Sequence, residues 1–82
     1  MLPKKDILQK QFGIHVKNIR VAKGLTQIDV SSKMAKDQQS LQRVESGNVS
    51  PSLYYLYELA HGLQIDIKEL FEFSTVVRKQ KK

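Results

Sequence analysis

Two adjacent glutamines, Gln38 and Gln39, follow Asp37 and open a short stretch of apolar periodicity. A glutamine amide sets one hydrogen-bond acceptor beside one donor. That pair matches N6 and N7 on the major-groove edge of adenine. The same two residues would also suit the solvated first turn of any helix, so the pair does not decide alone. The other reactive residue types offer less. His15 and His61 stand far apart on separate expected helices, and they read as partly exposed structural histidines rather than a metal pair or a general base. Ser31 and Ser32 have no neighbouring base to activate a hydroxyl. Gly13, Gly24, Gly47 and Gly62 form no phosphate-cradling loop. The chain has no cysteine, which excludes disulfides, cysteine-ligated zinc and thiol nucleophiles. The expectation is a non-enzymatic protein with no cofactor and no metal.

Charge points to the partner. Fourteen Lys and Arg against eight Asp and Glu give a net charge of +6. A small, strongly basic domain suits a polyanion, nucleic acid before anionic membrane. The charge is segregated: residues 1–47 carry nine basic and four acidic side chains, residues 48–73 one and four, and residues 74–82 four basic ones. One face of the molecule is therefore expected to meet the polyanion. No apolar run reaches the roughly 18 residues of a membrane span. The first twelve residues lack the apolar stretch of an export signal. With the missing cysteines, this fits a cytoplasmic protein.

The elements that position these residues follow from periodicity. Leu8, Phe12, Val16 and Ile19 share one face of a helix expected from after Pro3 to about Lys23, with Gly24 past its end. Gly13 within it suggests close packing. Thr26, with Asp29 three residues on, caps a second helix from Gln27 to about Lys33 that buries Val30 and Met34. Asp37 caps a third, Gln38 to about Ser46, burying Leu41 and Val44. Ser50 and Pro51 read as cap and first residue of a fourth, with an inner stripe of Leu53, Leu56, Leu59, Ala60 and Leu63. Asp66 and Glu69 open a short fifth helix carrying Ile67, Leu70 and Phe71. The fold class is all-α, a single five-helix domain over residues 1–73, followed by a basic flexible tail at 74–82 in which Thr75-Val76-Val77 can add a short strand in an oligomer.

The second and third helices are short and separated by only about four residues, the spacing of a helix-turn-helix. In that motif one helix enters the major groove and the other crosses the backbone. Gln38 and Gln39 then stand at the end of the helix that touches base edges. Lys17 and Lys36 are candidates for phosphate contacts, which carry affinity but no sequence information.

At this point the sequence resembles the phage repressor and Cro-like helix-turn-helix regulators of the xenobiotic-response-element type. The resemblance rests on Ile19-Arg20, Lys23-Gly24-Leu25-Thr26-Gln27, Leu41, Val44-Glu45-Ser46-Gly47, Pro51-Ser52, Leu56, Leu59-Ala60 and Leu63, and covers about residues 12–73. It implies a lambda-repressor-like domain that binds double-stranded DNA sequence-specifically, as a transcriptional regulator and most often a repressor. It places Gln38, Gln39 and Arg43 at base-reading positions, with Ser40 and Gln42 beside them. It makes Gln27 a brace between a phosphate and the third helix, and sets Ser46 and Asn48 where backbone N–H groups meet phosphate. Arg20 and Glu45 match a partly buried ion pair. Three residues depart from the family pattern: Ser31 replaces an alanine, Ala35 replaces the turn glycine, and Lys36 stands where an apolar residue is common. Without that glycine, the turn is expected to form with no left-handed residue.

A single recognition helix spans few base pairs, so a homodimer on a palindromic operator is expected. Its pairing surface is sought in the acidic segment from Tyr54 to Phe73, through Tyr54, Tyr55, Phe71 and Phe73. No separate sensor domain is expected within 82 residues. The competing class is a protein-interaction module, such as an antitoxin-like adaptor, whose Tyr54, Tyr55 and Tyr57 surface carries the work and in which DNA binding is secondary or lost.

Overall fold

A computed structural model describes residues 2–74. The expected strand at Thr75-Val76-Val77 and nearly all of the expected basic tail lie outside the described residues. The helices are α1 (Lys5–Ala22), α2 (Gln27–Met34), α3 (Gln38–Glu45) and α4 (Leu53–Leu63), followed by a 3-10 helix, Ile67–Phe71. The count corrects the expected five α-helices to four. The last element spans only five residues, and its bonds run three residues back, from Glu69 N to Asp66 O and from Glu72 N to Glu69 O. An α-helix that short would close too few i to i−4 bonds to hold.

Caps set the boundaries. Thr26 accepts a bond from Asp29 N at 3.0 Å while Asp29 accepts one from Thr26 N at 2.8 Å, a complete capping box. Asp37 accepts from Ser40 N at 2.9 Å to start α3. The fourth helix differs from expectation: Ser52, not Ser50, is its cap, accepting from Tyr55 N at 3.1 Å. Pro51 therefore precedes the helix, in a shallow apolar hollow with Leu8, Leu56 and Phe71. Leu53, now in the first turn, is 70% exposed and leaves the expected inner stripe.

The core joins all five elements. Phe12 and Val16 of α1, Val30 and Met34 of α2, Leu41 and Val44 of α3, Leu59, Ala60 and Leu63 of α4, and Leu70 are buried together. Each large apolar side chain among them contributes about 1.5–3 kcal/mol on burial. Leu8, at the outer end of the α1 stripe, is 37% exposed and only borders this core. Gly13 lies where α1 crosses the end of α3. A Cβ there would strike the carbonyl oxygens of Val44 and Glu45, the latter at 2.5 Å. That close crossing fixes the height of α3 on α1.

The turn between α2 and α3 corrects a second expectation. Ala35 is itself left-handed, at φ 56° and ψ 37°, and Lys36 N returns to Ser31 O at 3.1 Å. The reverse bond closes α2 and redirects the chain in three residues, so the left-handed step is kept even though alanine fits it less well than glycine.

Candidate nucleic-acid interface

With Leu41 and Val44 turned into the core, the helical period turns Gln39, Gln42, Arg43 and Ser46 outward. These four and Gln38 are exposed. Arg43 stands in the last turn of α3, where a cation is favoured by the helix dipole. The outer face thus combines three amides and a guanidinium, side chains that recognise purine edges in the major groove.

Behind this face a chain of hydrogen bonds ties α1, α2 and α3 together. Arg20 of α1 grips Glu45 of α3 with two bonds, Nε to Oε2 at 2.7 Å and Nη2 to Oε1 at 3.1 Å. Its remaining nitrogen donates to the Leu25 carbonyl at 2.8 Å. The two side chains are 11% and 5% exposed, so solvent screens them little. Gln27, the first residue of α2, donates through Nε2 to Glu45 Oε1 at 3.0 Å. Its Oε1 accepts from Gln38 Nε2 at 3.2 Å. Four residues singled out in the sequence are therefore one connected set.

Other singled-out residues are placed differently. Ser40 turns inward: its hydroxyl donates to Asp37 O at 3.1 Å and lies 3.2 Å from the Tyr55 hydroxyl. Burial pushes the Tyr55 phenol above its ordinary pKa, partly offset by that Ser40 bond. The backbone N–H groups of Ser46 and Asn48, expected to face phosphate, are already used, donating to Gln42 O at 2.9 Å and Arg43 O at 3.0 Å. They close α3 around the left-handed Gly47, at φ 76°. The Ser46 hydroxyl also donates to Gln42 O, at 2.7 Å. The Asn48 side chain stays exposed at the rim, as does Lys17 on α1. Lys36 lies 3.4 Å from Glu58 of α4. At the start of α2 the Asp29 carboxyl is held below its ordinary pKa, first by the Thr26 backbone N–H and then by the Thr26 hydroxyl.

The aromatic residues divide. Tyr54, Tyr57 and Phe71 are 74%, 54% and 54% exposed. Tyr55 and Phe73 instead pack against the core, Phe73 with its ring 5.8 Å from Phe12 and 5.2 Å from His15. His15 is further tied to the Glu69 carbonyl at 2.7 Å, while His61 is exposed. Among the described residues, no cluster of three or more His, Asp or Glu is arranged to hold a metal ion. No helix among them is long and apolar enough to cross a membrane. Sequence reasoning missed the links of Ser40 with Tyr55, Lys36 with Glu58, His15 with the Glu69 carbonyl, and Gln9 Nε2 donating to Gly47 O at 3.1 Å. Each joins residues far apart in the chain and leaves no local pattern.

The overall fold is shared with known proteins. A family model described as helix-turn-helix matches residues 16–70. The chain belongs to the Cro-like helix-turn-helix family. Within it, the HTH-type transcriptional regulator y4dJ of Sinorhizobium fredii is 36% identical over 63 residues, 77% of this chain and 82% of that protein. Among solved structures, the restriction–modification controller protein C.AhdI of Aeromonas hydrophila is similar at 33% identity and a TM-score of 0.74, covering 77% of this chain and 96% of that one. The controller protein C.Esp1396I, as a tetramer in complex with its natural 35 base-pair operator, is similar at 25% identity and a TM-score of 0.68, covering 79% and 96%.

Proposed function

We propose that this family member is a sequence-specific double-stranded DNA-binding protein, a transcriptional repressor that acts as a dimer at a palindromic operator. The observation that carries the reading is the outer face of α3. Gln39, Gln42 and Arg43 are exposed together, and Gln38 is held at the edge of that face by Gln27. Gln38, Gln39 and Arg43 read bases. Lys17 and the Asn48 side chain hold the backbone, and Gln27 braces α3 against a phosphate. Lys36 adds a weaker backbone contact, because Glu58 competes for it. The solved complex of C.Esp1396I with its operator supports the reading, since that relative engages DNA as an assembly of copies.

Pairing uses the exposed Phe71 of the acidic segment, at the apolar hollow it lines with Leu8, Pro51 and Leu56. Phe73 also lines that hollow, while Tyr54 lies in a separate depression with Tyr57 and His61, and Tyr55 faces Ser40 of α3. Fluorescence anisotropy on operator and scrambled duplexes at several salt concentrations tests DNA binding. Specific binding with a steep salt slope is expected. Sedimentation of wild type and Phe71→Lys, with and without DNA, tests pairing. A strictly monomeric wild type bound one-to-one to an asymmetric site would contradict the dimer. No association with either duplex at low salt would leave the protein-interaction reading in its place.

A further inference from the structure

We propose that Glu45 is a positioning residue that selects the base read by Gln38, acting through the amide of Gln27. The inference rests on the reading of α3 as a base-contacting helix. Its basis is the direction of each hydrogen bond. A carboxylate only accepts. The Glu45 carboxylate is gripped and oriented by Arg20, with Nε and Nη2 at 2.7 and 3.1 Å. The group of Gln27 that faces Glu45 Oε1 at 3.0 Å is therefore its NH2. The carbonyl oxygen of Gln27 must then point away, and it meets Gln38 Nε2 at 3.2 Å. That contact in turn fixes which end of the Gln38 amide lies against α2.

An isolated glutamine turns its amide over freely and presents donor and acceptor in either order. Gln38 is denied that freedom. One of its N–H groups is occupied by Gln27, and its carbonyl oxygen and second N–H are left in a single order. That order suits adenine, which offers the N6 donor beside the N7 acceptor. Guanine offers two acceptors, O6 and N7, and sets one of them against the Gln38 carbonyl. Glu45 does not touch DNA; it is 5% exposed and lies behind α3. Its charge is transmitted as a choice of amide orientation.

The test reads the ratio of affinities for adenine and guanine at the position that Gln38→Ala disturbs, by competition anisotropy on paired duplexes. A lost phosphate contact weakens both duplexes and cancels in the ratio. Wild type should prefer adenine. Glu45→Gln, whose amide can donate or accept, should lower the ratio about tenfold. Gln27→Met should do the same while leaving the Arg20–Glu45 pair and the fold intact, so the test stands even if Glu45→Gln folds poorly. The exchange Gln27→Glu with Glu45→Gln should restore the ratio. The carboxylate moved to position 27 again accepts from Gln38, while the amide moved to position 45 donates to that carboxylate. An unchanged ratio in Gln27→Met, or no restoration in a folded exchange variant, overturns the relay and leaves base reading by Gln38 standing. If Gln38→Ala alters no base preference at all, the base-reading role of Gln38 fails and the relay falls with it.

Discussion

Replacing Arg20 by methionine removes three charge-assisted bonds at once: two to Glu45, at 2.7 and 3.1 Å, and one to the Leu25 carbonyl at 2.8 Å. Methionine keeps much of the aliphatic stem, so little packing is lost. What remains is a carboxylate only 5% exposed, whose surviving protein donor is the Gln27 amide at 3.0 Å. Breaking a buried pair by removing one partner costs about 3–5 kcal/mol. The Gln27 bond places this site at the lower end, about 3 kcal/mol on the same scale. Glu45→Leu alone strands the guanidinium, which keeps its bond to Leu25, so its loss is smaller. The double variant strands neither charge and should recover much of the Arg20→Met loss. Urea unfolding followed by circular dichroism provides the readout. With a slope of about 1 kcal/mol/M for a chain this small, Arg20→Met should lower the midpoint by about 3 M. Losses that simply add in the double variant would show that the two side chains do not depend on one another, and the account of α3's anchorage would be wrong.

Gln39→Ala should weaken specific binding by about 1–3 kcal/mol and relax base preference at one position, whereas Lys17→Ala should lower affinity evenly and flatten the salt slope; binding to a panel of single-base site variants distinguishes them, and the reverse pattern would exchange their roles. Ala35→Gly should raise stability by up to about 1 kcal/mol, since the residue sits at φ 56° where a Cβ is disfavoured. A destabilised Ala35→Gly in thermal unfolding would mean the turn is not held in that conformation. Gly13→Ala should destabilise by about 1–3 kcal/mol, because the added carbon meets the Val44 and Glu45 carbonyls and pushes α3 outward. Unaltered unfolding together with unaltered DNA affinity would show that the α1–α3 crossing is looser than described.

Much of this architecture is local and therefore legible in the chain. The Thr26–Asp29 box, the Asp37 cap and Gly24 after α1 mark boundaries with short-range chemistry, and α2 and α3 begin at the residues expected. Where two local solutions compete, the sequence does not choose. Ser50-Pro51 and Ser52 both read as starts for α4, and Ser52 prevails by capping Tyr55 while Pro51 packs beside Leu8 and Phe71. Alanine is a poor residue for a left-handed turn, yet the reverse bond from Lys36 to Ser31 holds Ala35 there against its own preference. Of the links behind α3, the Arg20–Glu45 pair and the Gln27 contact with the third helix were expected, whereas the contacts to α4 were not. That Ser40 faces Tyr55, or that Lys36 is shared with Glu58, depends on how α4 packs against α2 and α3, a distance of many residues along the chain.

Selection of bound duplexes from a random DNA pool decides whether α3 reads an operator. One two-fold symmetric sequence should be enriched, with half-sites about one helical turn, roughly 10 base pairs, apart. The same selection with Gln39→Ala should lose preference at one symmetric pair of positions. A pool that emerges without a consensus, or a consensus that Gln38→Ala, Gln39→Ala and Arg43→Ala all leave unchanged, would contradict base reading by α3.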